Sequence, residues 1–174
     1  MNRVLRSALT IFTLLILSFY LKHTFALDPA YLIPKFKIDP KITSCAIINS
    51  TIDKKLNGFE NSKAKHMEIY TKLVDRLEQM IEKWKERGYD VNKVEEDLNT
   101  INTMIDEYEQ DYEDLKSKIE NLKSLCGSDD YKTKLTEVKA ALKELRKDVV
   151  DIRVFYQTVI RKDIKALKLQ KFED

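Results

Sequence analysis

From residue 46 onward, apolar residues return every three or four positions. Stepping alternately by four and three from Ile52 meets Ile52, Leu56, Phe59, Lys63, His66, Tyr70, Leu73, Leu77, Met80 and Trp84. An α-helix turns once in 3.6 residues, so these positions share one face. The spacing predicts a helix over about 46–87, with Val74 and Ile81 widening its stripe. Asn57-Gly58 is its weak point, where a bend is expected. Gly88 fits the left-handed position just past its end.

A second stripe has no polar position: Val91, Val94, Leu98, Ile101, Ile105, Tyr108, Tyr112, Leu115, Ile119, Leu122 and Cys126. It predicts a helix over about 91–125, capped by Asp90 or Asn92, with Asn92 and Glu95 spaced as a capping box. Gly127 then reads as a stop and Ser128 or Asp129 as a cap. The third helix, about 130–168, carries Tyr131, Leu135, Val138, Leu142, Leu145, Val149, Ile152, Tyr156 and Val159. Near Asp163 the register slips to Ile164 and Leu167.

Short turns force neighbouring helices antiparallel. The fold class is therefore all-α: an elongated, coiled-coil-like antiparallel three-helix bundle over residues 45–174. Folding at Gly88 pairs Trp84 with Val91, Leu77 with Leu98, Tyr70 with Ile105 and Leu56 with Ile119. The same count sets His66 opposite Tyr108 and Lys63 opposite Tyr112. It brings Cys126 beside Asn49, one turn from Cys45. A modest unwinding at the start of the first helix puts the two sulfurs in range of each other. A bridge there closes a loop of about 80 residues, worth about 4 kcal/mol in the chain-entropy model.

Upstream the pattern changes. Arg3 and Arg6 precede Ala8–Leu21, a 14-residue uncharged apolar run, and Lys22 and His23 end it. Thr24-Phe25-Ala26 closes with a small residue. This is the layout of a secretory signal peptide over 1–26, cut after Ala26. Fourteen helical residues rise about 21 Å against a hydrocarbon core of about 30 Å, which favours cleavage over anchoring. Residues 27–44 hold Pro29, Pro34 and Pro40 and read as an extended arm. Export implies an oxidising compartment, where a lone cysteine pair is normally a disulfide.

Composition agrees with long helices: the chain has only 3 Gly and 3 Pro, and 34% of its residues are charged. Without residues 1–26, which hold Arg3, Arg6 and Lys22 and no acid, 28 basic side chains face 29 acidic ones. That balance gives no general attraction to nucleic acid or an anionic membrane.

Candidate chemistry is sparse. His66 is the only histidine after residue 26. Lys63, His66, Tyr108 and Tyr112 form a candidate polar cluster in the seam, read as a register-setting device with a binding site as the alternative. The acids of Asp106–Asp114 lack the glycine and alternation of an EF-hand loop, and read as a solvated face or one paired with the third helix. Arg161, Lys162, Lys165, Lys168 and Lys171 suit the end of a helix dipole, with an anionic envelope surface as the rival. Phe155, Tyr156, Val159 and Ile160, followed by Arg161, make a stripe too wide for one seam. They serve either packing against the arm or an exposed partner surface. Asn49-Ser50-Thr51 is a glycosylation sequon, which in a bacterial protein would be coincidence. No catalytic residue, metal ligand or cofactor is expected.

Several segments resemble a known group: Leu73-Val74-Asp75-Arg76-Leu77-Glu78 ahead of Lys85-Glu86-Arg87-Gly88-Tyr89-Asp90-Val91, then Cys126-Gly127-Ser128, then Leu145–Arg153 and Phe155–Arg161. Across residues 44–168 the chain resembles a family of small exported helical proteins of genome-reduced candidate-phyla bacteria. The resemblance implies export and an all-helical fold and brings no activity with it. The expected function is a non-enzymatic structural or protein-binding module of the cell envelope, periplasmic, extracellular or on the cell surface. It would act on an unidentified protein partner or as a homo-oligomer, without nucleic acid. The rivals are a periplasmic holdase-type chaperone and, if the signal stays uncut, a membrane-tethered helical spacer that meets the membrane through its N-terminal segment alone.

Overall fold

The computed structural model describes residues 44–170. The expected signal segment (1–26), the arm up to residue 43 and Lys171 lie outside the described residues. Helix α1 spans Cys45–Lys85, α2 Asn92–Ser124 and α3 Tyr131–Phe155. A π-helical segment, Tyr156–Ile160, follows without a break and leads into α4, Arg161–Lys168. The last three pieces form one third arm. The described residues are all-helical, and the three long helices pack against one another. At 1.5 Å per residue the 41 residues of α1 reach about 60 Å.

The boundaries follow from local chemistry. Helix α1 runs unbroken through Asn57-Gly58, where a bend was expected. It ends in a Schellman motif. The Gly88 N–H donates to the Lys85 carbonyl (2.9 Å) and the Tyr89 N–H to the Trp84 carbonyl (3.0 Å), with Gly88 at φ +78°. The Tyr89 ring lies 6.2 Å from that of Trp84, supplying the apolar contact that accompanies the motif. The Asn92 N–H donates to the Asp90 carboxylate at 3.1 Å, but Val91 holds the cap position of α2, which has no side-chain cap, so neither Asp90 nor Asn92 is the cap. The Asn92/Glu95 capping box does not form, because Asn92 is already inside α2 and the Glu95 carboxylate turns to Lys85. Gly127, at φ +85°, reverses the chain after α2. The Ser128 hydroxyl donates back to the Leu125 carbonyl (2.8 Å) instead of capping α3, which has no side-chain cap.

The core lies along the three stripes. Ile52, Ile101, Ile119, Leu122, Val138, Ile152 and Ile160 have no exposed surface, and each such side chain withdraws about 1.5–3 kcal/mol of apolar surface from water. Of the expected stripe positions, Leu56, Met80, Leu98, Tyr131, Leu135 and Val159 are only half-buried, and at one of them a polar neighbour goes inside. Leu98 is only half-buried, and its neighbour Asp97 takes the interior place. Helix α2 touches α1 on one side and the third arm on the other, so it buries a wider arc than one seam needs.

The π segment explains the slip in the third stripe. Continuing the step from Tyr156 would bury Val159, Asp163 and Ala166. The buried positions are instead Ile160 and Leu167, with Ile164 half-buried between them. A π turn adds one residue and moves the following face round by one position. That shift replaces a charged seam residue with isoleucine. Leu167 and Ile164 then pack on Trp84, Ile81, Val91 and Val94, closing the turn end of the bundle.

At the opposite end, Cys45 and Cys126 are paired at disulfide distance, with Cα atoms 5.7 Å apart. Unwinding was expected at the start of α1. None is found there: Cys45 is the first residue of its helix, and Cys126 lies in the turn after Ser124, where a turn was expected.

Candidate functional site

The polar residues foreseen in the α1–α2 seam come together in two adjoining groups. His66 Nδ1 lies 2.8 Å from the Tyr108 hydroxyl, and both residues are buried. Tyr70 completes the layer, its ring 6.0 Å from His66 and 5.7 Å, edge-on, from Tyr108. His66 Nε2 is sealed from solvent and has no hydrogen-bond partner. A charge there would be poorly solvated, so burial lowers the His66 pKa to about 4. Burial also raises the Tyr70 and Tyr108 phenols. The layer is neutral at pH 7 and offers no group poised for proton transfer near neutrality.

One turn away, the Lys63 ammonium sits 5.0 Å above the Tyr112 ring and 3.1 Å and 3.4 Å from the carboxylates of Glu109 and Glu113. The long stem keeps the charge at the rim while its methylenes cover the seam. Burial, then Glu60 and Glu113, push the Tyr112 hydroxyl up to about 12. A groove of about 410 Å³ opens here between α1 and α2. It is crossed by the Lys63 pairs and by Lys116–Glu60 at 2.9 Å, so charge rather than an apolar cradle lines it.

The expected partner surface divides. Tyr156 and Ile160 are core residues, 3% and 0% exposed, which removes them from any surface. Phe155, Val159 and Arg161 are half-buried. The width of the stripe has its cause in the π segment: the seam changes face there, so both the old and the new register carry apolar residues. The exposed apolar residues of this stretch are Val150 and Val154, one turn apart on the outer face. The acids of Asp106–Asp114 also divide. Asp106, Glu107, Glu113 and Asp114 face solvent, whereas Asp111 is half-buried towards the third arm. Among the described residues, no group of three or more His, Cys, Asp or Glu side chains could hold a metal ion.

Sequence reasoning missed two acids. Asp97 is 2% exposed; one oxygen is 3.3 Å from the Lys93 ammonium, and Oδ2 has no donor. Asp148, half-buried on α3, likewise has Oδ2 sealed and without a donor. No protein-family model, curated protein or solved structure matches this chain.

Proposed function

We propose that the chain is exported and acts as a non-enzymatic helical module of the cell envelope, holding or spacing a protein partner. The observation that carries this reading is the Cys45–Cys126 pair at disulfide distance. It lies in the same chain as a basic, apolar N-terminal segment followed by Ala26. A cystine that closes a loop of some 80 residues stabilises a chain only where oxidant is present. Long, neutral, well-packed helices ending in a covalent clamp suit a stiff spacer. Among the described residues no helix is long and apolar enough to cross a membrane. On this reading the outer faces of the helices are where a partner binds.

The test is expression of the full chain in a bacterial host, with recovery from the envelope and medium. The expected result is a protein beginning at Leu27 whose unfolded form shows no free thiol until reduced. Retention in the cytoplasm with an intact N-terminus and two reactive thiols would overturn the proposal.

A further inference from the structure

Ion pairs join α1 to α2 through Asp53, Glu60, Lys63 and Lys85 of α1, and so mark the flank of α1 that lies against α2. At 3.6 residues per turn, Lys65, Lys72 and Lys83 fall on the other flank, and all three are exposed. The arm divides in the same way. A groove of about 300 Å³, lined by Glu137, Ala141 and Glu144 against Asp111 and Asp114, marks its flank against α2. The other flank carries Lys139, Lys143 and, beyond the π segment, Lys165, again exposed.

These two basic flanks border one groove, between α1 and the arm, on the side of the bundle away from α2. Helical spacing puts no acid on either of them. The nearest, Glu68, is exposed and already paired with Lys72. Val150 and Val154, 44% and 47% exposed, lie among the cations of the arm. Helix α2 presents the opposite charge. No basic residue lies between Lys93 and Lys116. Asp106 and Glu107 stand exposed near the middle of the helix, and neither forms an ion pair with another described residue. The same holds for Lys65, Lys139 and Lys143. Charges of the two signs therefore lie on opposite sides of one bundle, where they do not meet within a chain.

We propose that the acidic outer face of α2 docks into the basic groove between α1 and the arm of a second copy of this chain. A helix ridge fits the furrow between two helices, and the charges on its two sides are complementary to it. Because ridge and groove lie on opposite sides, the contact is heterologous. Each added copy leaves one ridge and one groove free, so copies join side by side in an open row. Such a row supplies the structural module above with its partner. It rests on the described bundle alone, so it stands or falls apart from export.

The experiment is sedimentation velocity of the full oxidised chain over a concentration series. Salt runs from about 0.01 M to about 1 M, across which the screening length falls from about 30 Å to about 3 Å. At low salt the average mass should at least double from that of one chain and keep rising with concentration. At high salt it should return to that of one chain. Lys65→Glu/Lys143→Glu puts acid in the groove, and Asp106→Lys/Glu107→Lys puts base on the ridge. Each variant alone should stay a single chain at low salt, with the parent's helicity by circular dichroism. Mixed in equal amounts they should associate as the parent does, because every ridge then meets a groove of opposite sign. A parent that stays single at low salt overturns the proposal. So does association that ignores salt or survives either reversal, which places the contact on apolar surface instead. A mixture of folded variants that fails to assemble overturns it too. Capture of the parent by vesicles of anionic lipid, without association in solution, also overturns it and assigns the groove to a membrane surface.

Discussion

Across the seam between α1 and α2, charges of opposite sign meet: Lys63 with Glu109 and Glu113, Lys116 with Glu60, Lys123 with Asp53, and Lys85 with Glu95. At the seam between α2 and the third arm, two carboxyl oxygens, Asp97 Oδ2 and Asp148 Oδ2, are buried without a donor. The apolar stripes beneath are of one kind, so the contrast lies at their margins. Rim ion pairs between exposed side chains contribute little each, about 0–1 kcal/mol, and tolerate a broad pH range. A buried carboxyl without a donor is penalised when charged, because burial disfavours the ionised form. The seams differ in covalent support too. The cystine closes α1 and α2 into a loop, whereas the arm is attached by its turn, its apolar face and its tip. There the Gln170 amide grips the backbone of Asp90 in both directions, accepting its N–H at 3.0 Å and donating to its carbonyl at 3.1 Å.

The comparison breaks most completely where the two seams share a helix. Ile101 has no exposed surface, and an aspartate there leaves an unpaired charge in the common core. Ile101→Asp is expected to cost about 4 kcal/mol or more and to abolish the cooperative melting transition in circular dichroism. A parent-like melting curve would refute a shared core. Cys45→Ser affects the α1–α2 loop alone and is expected to cost about 4 kcal/mol, measured as a lowered urea midpoint. The same midpoint in the parent, with and without reductant, must shift equally. His66→Phe sharpens the electrostatic contrast. The parent should lose stability as pH falls from 6.5 towards 4, because the unfolded chain takes up a proton that buried His66 refuses. Removing that group should flatten the loss by roughly 3 kcal/mol, and an unchanged acid limb would deny His66 this role. Gln170→Ala is the mildest change. It is expected to cost about 1 kcal/mol and to move the urea transition of Trp84 slightly, with no effect on thiol content.

Much of this architecture was legible in the spacing of apolar residues. The His66–Tyr108 contact followed from counting back from Gly88, because a Schellman turn fixes where two antiparallel helices begin to pair. The cysteine pair followed from the same count, although the start of α1 did not unwind. Cys45 sits at the helix start itself, and Cys126 lies in the turn beside Gly127. Asp97 was hidden because the heptad step through α2 describes one seam and this helix serves two. The π segment was visible only as a phase error near Asp163. A one-residue insertion costs little in sequence, yet it decides that Tyr156 and Ile160 belong to the interior and Val150 and Val154 to the surface. The buried carboxyls were illegible for a further reason: only coordinates show how far Asp97 and Asp148 are drawn in from the surface.

The cystine lies where the described chain begins, and Gln170 lies at the far end, beside Asp90. Tension applied between these points therefore enters at Cys45, crosses through sulfur to Cys126, and runs lengthwise along the arm. Helices α1 and α2 sit inside the covalent loop and cannot be drawn out. The hairpin bears no load, and the molecule gains length only as the helical turns of the arm itself unwind and leave their contact with α2.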